Sequence, residues 1–425
     1  MDLTTAEQRV LDAIDERELV EHLVHLVRTP SVTGTDAEST LQHEAATQLA
    51  RLGMDVDTWQ LDLAAIRADP DFPGTEAERL EAHGLVATSP GEGPIGLILQ
   101  GHVDVVPVGD RDNWRDGDPF SGSIVGNVLH GRGACDMKAG VAANFAIARA
   151  LTRSGVATHK RLAIHSVVSE EDGGLGAFDT LRRGHTGEAA IITEPTSGRL
   201  ITANAGALTF EIRVTGQAAH GSTRLEGVSA YEVFWPIHLA LRELEARRNA
   251  APDPLFADHA LAYGISIGRI VAGDWSSSVP DLLVAQGRYG IQLGEDLAVA
   301  RREFEDAVAE AARRDPWLTD HPPVISWPGG QFGSGRIAAD HPLIAEVQHA
   351  AATISGRVPQ PAAAPYGSDL RLYTDLGGIP TLHFGPGDVR MAHAPREHVD
   401  LDEVIAVTRA LALVTVRRLC APTGG

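Results

Sequence analysis

IGLILQGHVD, residues 95–104, and LAIHSVVSEEDGG, residues 162–174, share one design: an apolar run that ends abruptly in imidazole or carboxylate. A short apolar run without alternation reads as a strand buried on both faces, as in a parallel sheet covered by helices. Two further runs end in the same way. Ala189–Ile192 passes into Thr193-Glu194-Pro195, and Thr381–Phe384 leads through Gly385-Pro386-Gly387 to His393. In an open parallel α/β sheet, ligands bind beyond the carboxyl ends of the strands. Four strands thus deliver His102, Glu170, Glu171, Glu194 and His393 to one rim. Asp136 joins them from the loop Gly131–Gly140 (GRGACDMKAG), just ahead of a helix expected over Val141–Leu151.

Outward from this block, residues 6–28 carry a helical apolar stripe (Val10, Leu11, Ile14, Leu19, Leu23, Leu26, Val27), and a second helix is expected from Thr40 to Leu52, stopped by Gly53. The pattern changes after Leu208. A strand with Thr209, Glu211 and Arg213 facing outward leads to a helix near Tyr231–Arg247. Strands near Ile265–Ile270 and Leu282–Ile291 follow, then a helix near Leu297–Arg313. That β-α-β-β-α order reads as a smaller α+β domain inserted into a larger, mostly parallel α/β domain. Pro322–Gly335 is the return path, and a helix near Pro342–Ile354 resumes the larger domain. The expected boundaries are 1–204 and 328–425 for the larger domain and 205–327 for the insertion.

Composition bounds the function. The chain of 425 residues is 43% hydrophobic and 22% charged, with a net charge of −21, which argues against nucleic acid and anionic membrane as partners. Two cysteines, Cys135 and Cys420, make no disulfide framework and fit a reducing cytoplasm. The first residues carry no signal-peptide pattern, and no run approaches the length that spans a bilayer. A rim of His, Asp and Glu without a thiolate cluster suits a divalent metal, zinc first and cobalt or manganese next. Three carboxylates and two imidazoles, one carboxylate bridging, suffice for two metals about 3.5–4 Å apart. Burying such groups without a cation would be costly.

The motifs GHVDVVP (101–107), GRGACDMKAG (131–140), SEEDGG (169–174), TEPT (193–196), AHGS (219–222), YGSDLR (366–371) and HAPREHV (393–399) stand in an order that resembles a known family. It is the zinc amidohydrolase family of acetylornithine deacetylase, succinyl-diaminopimelate desuccinylase, aminoacylase and carboxypeptidase G. The resemblance runs from about Arg9 to Val414. It implies a zinc-binding catalytic domain interrupted by a lid through which two subunits pair as a homodimer. His102 and Glu194 would bind one zinc, Glu171 and His393 the other, with the Asp136 carboxylate bridging them, turned toward both by a cis peptide between Asp136 and Met137. Asp104 would orient His102, Glu170 would be the general base, and His220 would steady the oxyanion in the partner subunit's site. Arg371 and Ser368 would meet the substrate.

The chain departs from the family pattern in the lid. Ser276-Ser277-Ser278 stands where an Asn usually precedes Val279-Pro280, and Arg288 has an unusual offset as a candidate substrate contact. Cys135 reads as a small buried residue, not a nucleophile. His130, His165, His383 and His398 read as core or surface residues. The resemblance implies hydrolysis of the amide bond of a small N-acyl amino acid or N-acyl amine, by a deacetylase or deformylase. A dipeptidase or carboxypeptidase using the same site is the alternative. A non-catalytic scaffold would have lost a ligand or the base, and all are present.

Overall fold

The computed structural model describes residues 3–422. Its strands, in chain order, include β1 (Asp55–Gln60), β2 (His83–Thr88), β3 (Ile95–His102), β4 (Arg161–Val167), β5 (Ala190–Ile192), β6 (Leu200–Asn204), β7 (Gly206–Thr215), β8 (Ile265–Ala272), β9 (Leu282–Ile291) and β10 (Thr381–His383). Its helices include α1 (Thr5–Asp12), α2 (Glu16–Arg28), α3 (Asp36–Arg51), α4 (Lys138–Ser154), α5 (Leu175–Arg182), α6 (Ala230–Arg248), α7 (Leu297–Ala312) and α8 (Leu401–Cys420), and the helix expected near Pro342 spans Pro342–Ser355. Contacts divide the chain into two compact units. One comprises residues 1–203, 336–362 and 369–425, the other 204–335 and 363–368.

The first unit is built on a mixed sheet in the order β1-β2-β4-β3-β5-β10-β6. Its centre is parallel, β4 beside β3, β3 beside β5 and β5 beside β10. Antiparallel strands flank that centre on both sides. The parallel centre is the one read from the apolar runs, and β3 is buried along nearly its whole length, as a strand covered on both faces must be. Register places the site. Gln100 lies opposite His165 on one side and Ile192 on the other, and Ile192 lies opposite His383. The four strands therefore end level, and their continuations leave from one rim. Helices α4 and α8 pack on β3, and α3 and α5 on β2.

The expected helix over residues 6–28 is two helices. Asp15 interrupts it, because its carboxylate accepts the amide of Glu18 and so caps α2. The apolar stripe still holds across the break, and all seven of its residues are buried. The α3 helix begins at Asp36, a turn before the expected start. The C-terminal helix α8 has no counterpart among the sequence expectations. Asp400, just ahead of it, accepts the amide of Glu403 and caps it, and the helix is buried along most of its length. Among the described residues no helix is long and apolar enough to cross a membrane.

The second unit is an antiparallel sheet in the order β8-β9-β7 followed by Val324–Ser326, with α6 and α7 packed together against it. Alternation along β7 sends Leu208, Phe210, Ile212 and Val214 into the helix-covered core and leaves Thr209, Glu211 and Arg213 on the other face. Phe210 packs against Phe304 of α7, with ring centroids 4.7 Å apart.

Candidate metal centre

His102 ends β3 and is fully buried. Its Nδ1 lies 3.0 Å from the backbone carbonyl oxygen of Asp104 and 3.5 Å from that residue's Oδ1. A carbonyl only accepts, so Nδ1 carries a proton and Nε2 points into the site. Nε2 faces Asp136 Oδ1 at 3.2 Å, Glu194 Oε1 at 3.7 Å and Glu170 Oε2 at 3.9 Å. Burial opposes charge on this ring, yet Asp104, Asp136 and Glu194 lift its pKa well above the usual value. The surroundings call for positive charge at Nε2, whether from a proton or a cation.

Asp136 faces two ways. While Oδ1 meets His102, Oδ2 lies 3.6 Å from Nε2 of His393, and that nitrogen is 3.0 Å from Glu171 Oε2. The Asp136–Met137 peptide is cis. The short approach of α4 to the rim depends on Gly140, where a Cβ would sit 2.1 Å from the carbonyl oxygen of Thr193, next to Glu194.

Burial raises Glu170, Glu171 and Glu194 above the ordinary carboxylate range. Mutual repulsion adds to it, chiefly from Glu194 on Glu170 and from Asp136 on the other two. For Asp136, burial pushes upward too, but His102 and His393 outweigh it and hold the pKa below normal. Glu194 Oε1 is buried without a hydrogen-bond partner. The ligand atoms of His102, Glu170 and Glu194 lie within 4.8 Å of one another, as do those of His102, Asp136 and Glu171. Crowded anionic oxygens, an orphaned carboxylate oxygen and imidazole nitrogens turned inward fit hard-to-borderline divalent ions. Cys135 supplies no ligand to either group. Its Sγ donates to the carbonyl of Asp388 at 3.1 Å, and burial pushes its thiol pKa far up.

Residues 98–417 match the sequence profile of peptidase family M20/M25/M40. The chain belongs to this family. Its metal-dependent hydrolases include close matches in length. The N-formyl-4-amino-5-aminomethyl-2-methylpyrimidine deformylase of Halalkalibacterium halodurans is 26% identical, over 92% of this chain and 93% of that protein. The acetylornithine deacetylase of Pectobacterium atrosepticum is 29% identical, over 93% and 96%. Among solved structures, the dipeptidase Dug1p of Saccharomyces cerevisiae superposes with a TM-score of 0.78 at 14% identity, covering 98% of this chain and 99% of that one. That last likeness is one of fold.

Behind the M20 rim lies a polar network that sequence reasoning missed. Ser169 adopts a left-handed φ of 64°, unusual for a non-glycine residue and the point where the chain leaving β4 turns. The amides of Glu170 and Glu171 then donate to the two oxygens of the Asp104 carboxylate, each at 3.2 Å. Thr33 donates its hydroxyl to the same group at 2.9 Å. Asp104 thus braces the Glu170–Glu171 loop as well as His102. Buried Arg79 donates to Ser169 Oγ at 2.6 Å and lies 3.4 Å from Asp172 and 3.6 Å from Glu38. Asp172 in turn accepts the amides of Glu76 and Ala77. Asp172 belongs to the SEEDGG motif, but Glu38 and Arg79 lie outside every motif and every element read from the sequence.

The remaining predicted residues divide between the units. Arg371, in the first, is buried and donates Nη2 to the carbonyl of Gly173 at 2.9 Å, so it braces the loop just past Glu171. Burial lowers its pKa to about 10. Asp369 beside it accepts from Gln100 at 2.8 Å, and burial pushes its pKa up to about 7. Ser368, Arg288 and His220 belong to the second unit. Ser368 is buried, and Arg288 donates to the carbonyl of Pro365 at 2.8 Å. His220 is exposed and bridges Ser278 through its backbone, which gives the variant serine stretch a structural place. The backbone amide of Ser222 donates to His220 Nδ1 at 3.2 Å, so Nε2 carries the ring proton and is presented as a donor.

Proposed function

We propose that this protein hydrolyses the amide bond of a small N-acyl amino acid or N-acyl amine, as a deacylase or deformylase, with Glu170 as general base. The observation that carries the reading is Asp136, with one oxygen toward each histidine, beside a glutamate left over for proton transfer. His102 and Glu194 would hold one zinc ion and Glu171 and His393 the other, with Asp136 between them. Two such ions supply Lewis-acid polarisation of the scissile carbonyl and a lowered pKa for the attacking water. Cobalt or manganese would serve as substitutes.

The chain's own part is proton traffic and placement. Glu170 takes a proton from the attacking water as its oxygen bonds to the acyl carbon. It then delivers that proton to the nitrogen as the C–N bond breaks, releasing the amine and a carboxylic acid that gives up its own proton to solvent. Asp104 fixes His102 and the Glu170–Glu171 amides together. His220, with its proton on Nε2, would donate to the developing oxyanion. We assign that role in trans, in a homodimer paired through residues 205–327. The edge strand β8, which carries exposed Ile270 and Val271, supports this pairing. Ser368 and Arg288 would lie on the substrate side, and Arg371 would act through the loop it braces. The free cysteines support a cytoplasmic setting.

Two experiments test the reading. The metal-loaded protein is assayed on a panel of N-formyl, N-acetyl and N-succinyl amines together with dipeptides. Turnover confined to dipeptides would replace the deacylase with a dipeptidase. Glu170→Gln should keep both metals and lose about 10²–10⁴-fold in turnover, whereas Glu171→Gln should lose metal. Metal loss in Glu170→Gln with full turnover per bound metal would reverse the assignment.

A further inference from the structure

The oxygens of Asp136 must each face a different histidine, yet Asp136 sits on a loop that belongs to no strand and precedes a helix without a side-chain cap. What fixes that loop is a carboxylate from the far end of the chain. Glu397 is 1% exposed, and its Oε1 accepts the backbone amides of Cys135 and Asp136 at 3.0 and 3.1 Å. Its Oε2 pairs with the guanidinium of Arg132, at the start of the same loop. Its backbone carbonyl accepts the amide of Gly131 at 3.1 Å. Arg132 is anchored in turn, its guanidinium carbon 5.0 Å over the ring of Trp114 and Nη2 on the carbonyl of Pro107.

We propose that Glu397 is a positioning residue that fixes the bridging carboxylate. It lies four residues beyond His393, within one turn closed by the amide of Glu397 on the carbonyl of Ala394. By gripping the two amides that lead into Asp136, it ties the loop of the bridging ligand to the loop of the histidine that Asp136 Oδ2 faces. The two loops are far apart in sequence, and an antiparallel ladder of His398–Asp400 with Val128–His130 brings only their bases together; Glu397 carries that tie on to the amides of Cys135 and Asp136. The choice of side chain is informative. Burial raises the pKa of Glu397, Arg132 offsets this, and the negative charge of Asp136 adds a repulsion that an amide would avoid. A carboxylate offers what an amide cannot, one oxygen free for both backbone donors while the other holds the guanidinium. Partners that orient a metal ligand in this way typically change metal affinity about 10–100-fold when removed.

The inference rests on the two-metal reading, and the test separates the two. Metal-free full-length protein is titrated with cobalt(II), following the d–d absorption and a competing chelator. Arg132→Lys keeps a cation for Oε2 and leaves the amide grip in place, and should bind cobalt within about 3-fold of wild type. Glu397→Gln, and the charge-neutral pair Glu397→Leu with Arg132→Met, should bind about 10–100-fold more weakly with an altered cobalt spectrum. The paired variant guards against a misfolding caused by an unpaired buried arginine. Wild-type affinity and spectrum in the Glu397 variants would overturn the positioning role while leaving the metal site standing. A loss in Arg132→Lys equal to theirs would also overturn it, because the ion pair rather than the amide grip would then be responsible. Wild-type protein that takes up no cobalt would overturn the metal reading and this inference with it.

Discussion

His22 offers a test of the fold that does not depend on catalysis. It lies on α2 with its ring against Phe145, centroids 4.9 Å apart, and its Nδ1 has no hydrogen-bond partner. Burial, then the positive charge of Arg149 and of His25, lowers its pKa to about 3. In the unfolded chain it should titrate near 6.5. The native state therefore holds the neutral ring while the unfolded chain binds a proton, so stability is intact above about pH 6.5 and drains away as the pH falls toward 3. At about pH 5 the gap is roughly 1.5 pH units, or about 2 kcal/mol from this one ring. The raised carboxylates of the metal centre titrate with the opposite sign, which makes the wild-type curve alone uninformative. A comparison removes them. His22→Leu keeps an apolar group against Phe145 and deletes one proton site, whatever its offset at neutral pH. Metal-free wild type and variant should be compared by hydrogen exchange in peptides from β3 and β4, from about pH 7.5 to about pH 5. The wild type should lose about 2 kcal/mol more than the variant over that interval. Curves parallel within about 0.5 kcal/mol would refute a buried neutral histidine at this position.

Arg79→Met should cost about 3–5 kcal/mol in urea unfolding, because it leaves the buried Asp172 carboxylate without its guanidinium; a loss below about 1 kcal/mol would show that the Arg79 network is not holding the Ser169–Asp172 loop. Chelation should abolish hydrolysis reversibly and lower the unfolding free energy by about 2.7 kcal/mol when free metal had stood at about 100 times its dissociation constant. Full activity in chelator, with no divalent ion found by elemental analysis, would refute the metal centre. Mixing inactive His220→Ala with inactive Glu170→Gln should restore about a quarter of wild-type sites once subunits have exchanged, under two-fold pairing. Exchange without recovery would place His220 in its own chain's site or in the fold alone.

The parallel centre of the sheet was readable because strands covered on both faces carry no alternation, and their apolar runs end where solvent and ligand begin. The antiparallel flank was less readable for the same physical reason. Asp55–Gln60 is only partly buried, and its residues mix charge, hydroxyl and one tryptophan in no clean alternation. The break between α1 and α2 hid inside a continuous apolar stripe, although Asp15 and Glu18 carried the capping signal. The helix α8 was missed with a similar signal in hand, Asp400 followed by Glu403.

At the site, residues displayed at strand ends were legible one motif at a time, whereas residues that act by gripping backbone were not. Glu38, Arg79 and Glu397 have the composition of a solvated surface, and only the tertiary fold shows each of them buried against amides, hydroxyls or a charge from a distant segment. Their roles follow from a constraint the motifs do not state. A metal centre of this kind needs several carboxylates inside one radius, and their repulsion acts on the loops that carry them before any cation binds. Rim loops held only by their own backbone would splay. The network of Arg79 behind Glu170 and Glu171, and that of Arg132 with Glu397 behind Asp136, put a buried guanidinium at the back of each loop, where it opposes the repulsion without competing for the ligand oxygens. Positive charge at the front is left for a bound divalent cation to supply.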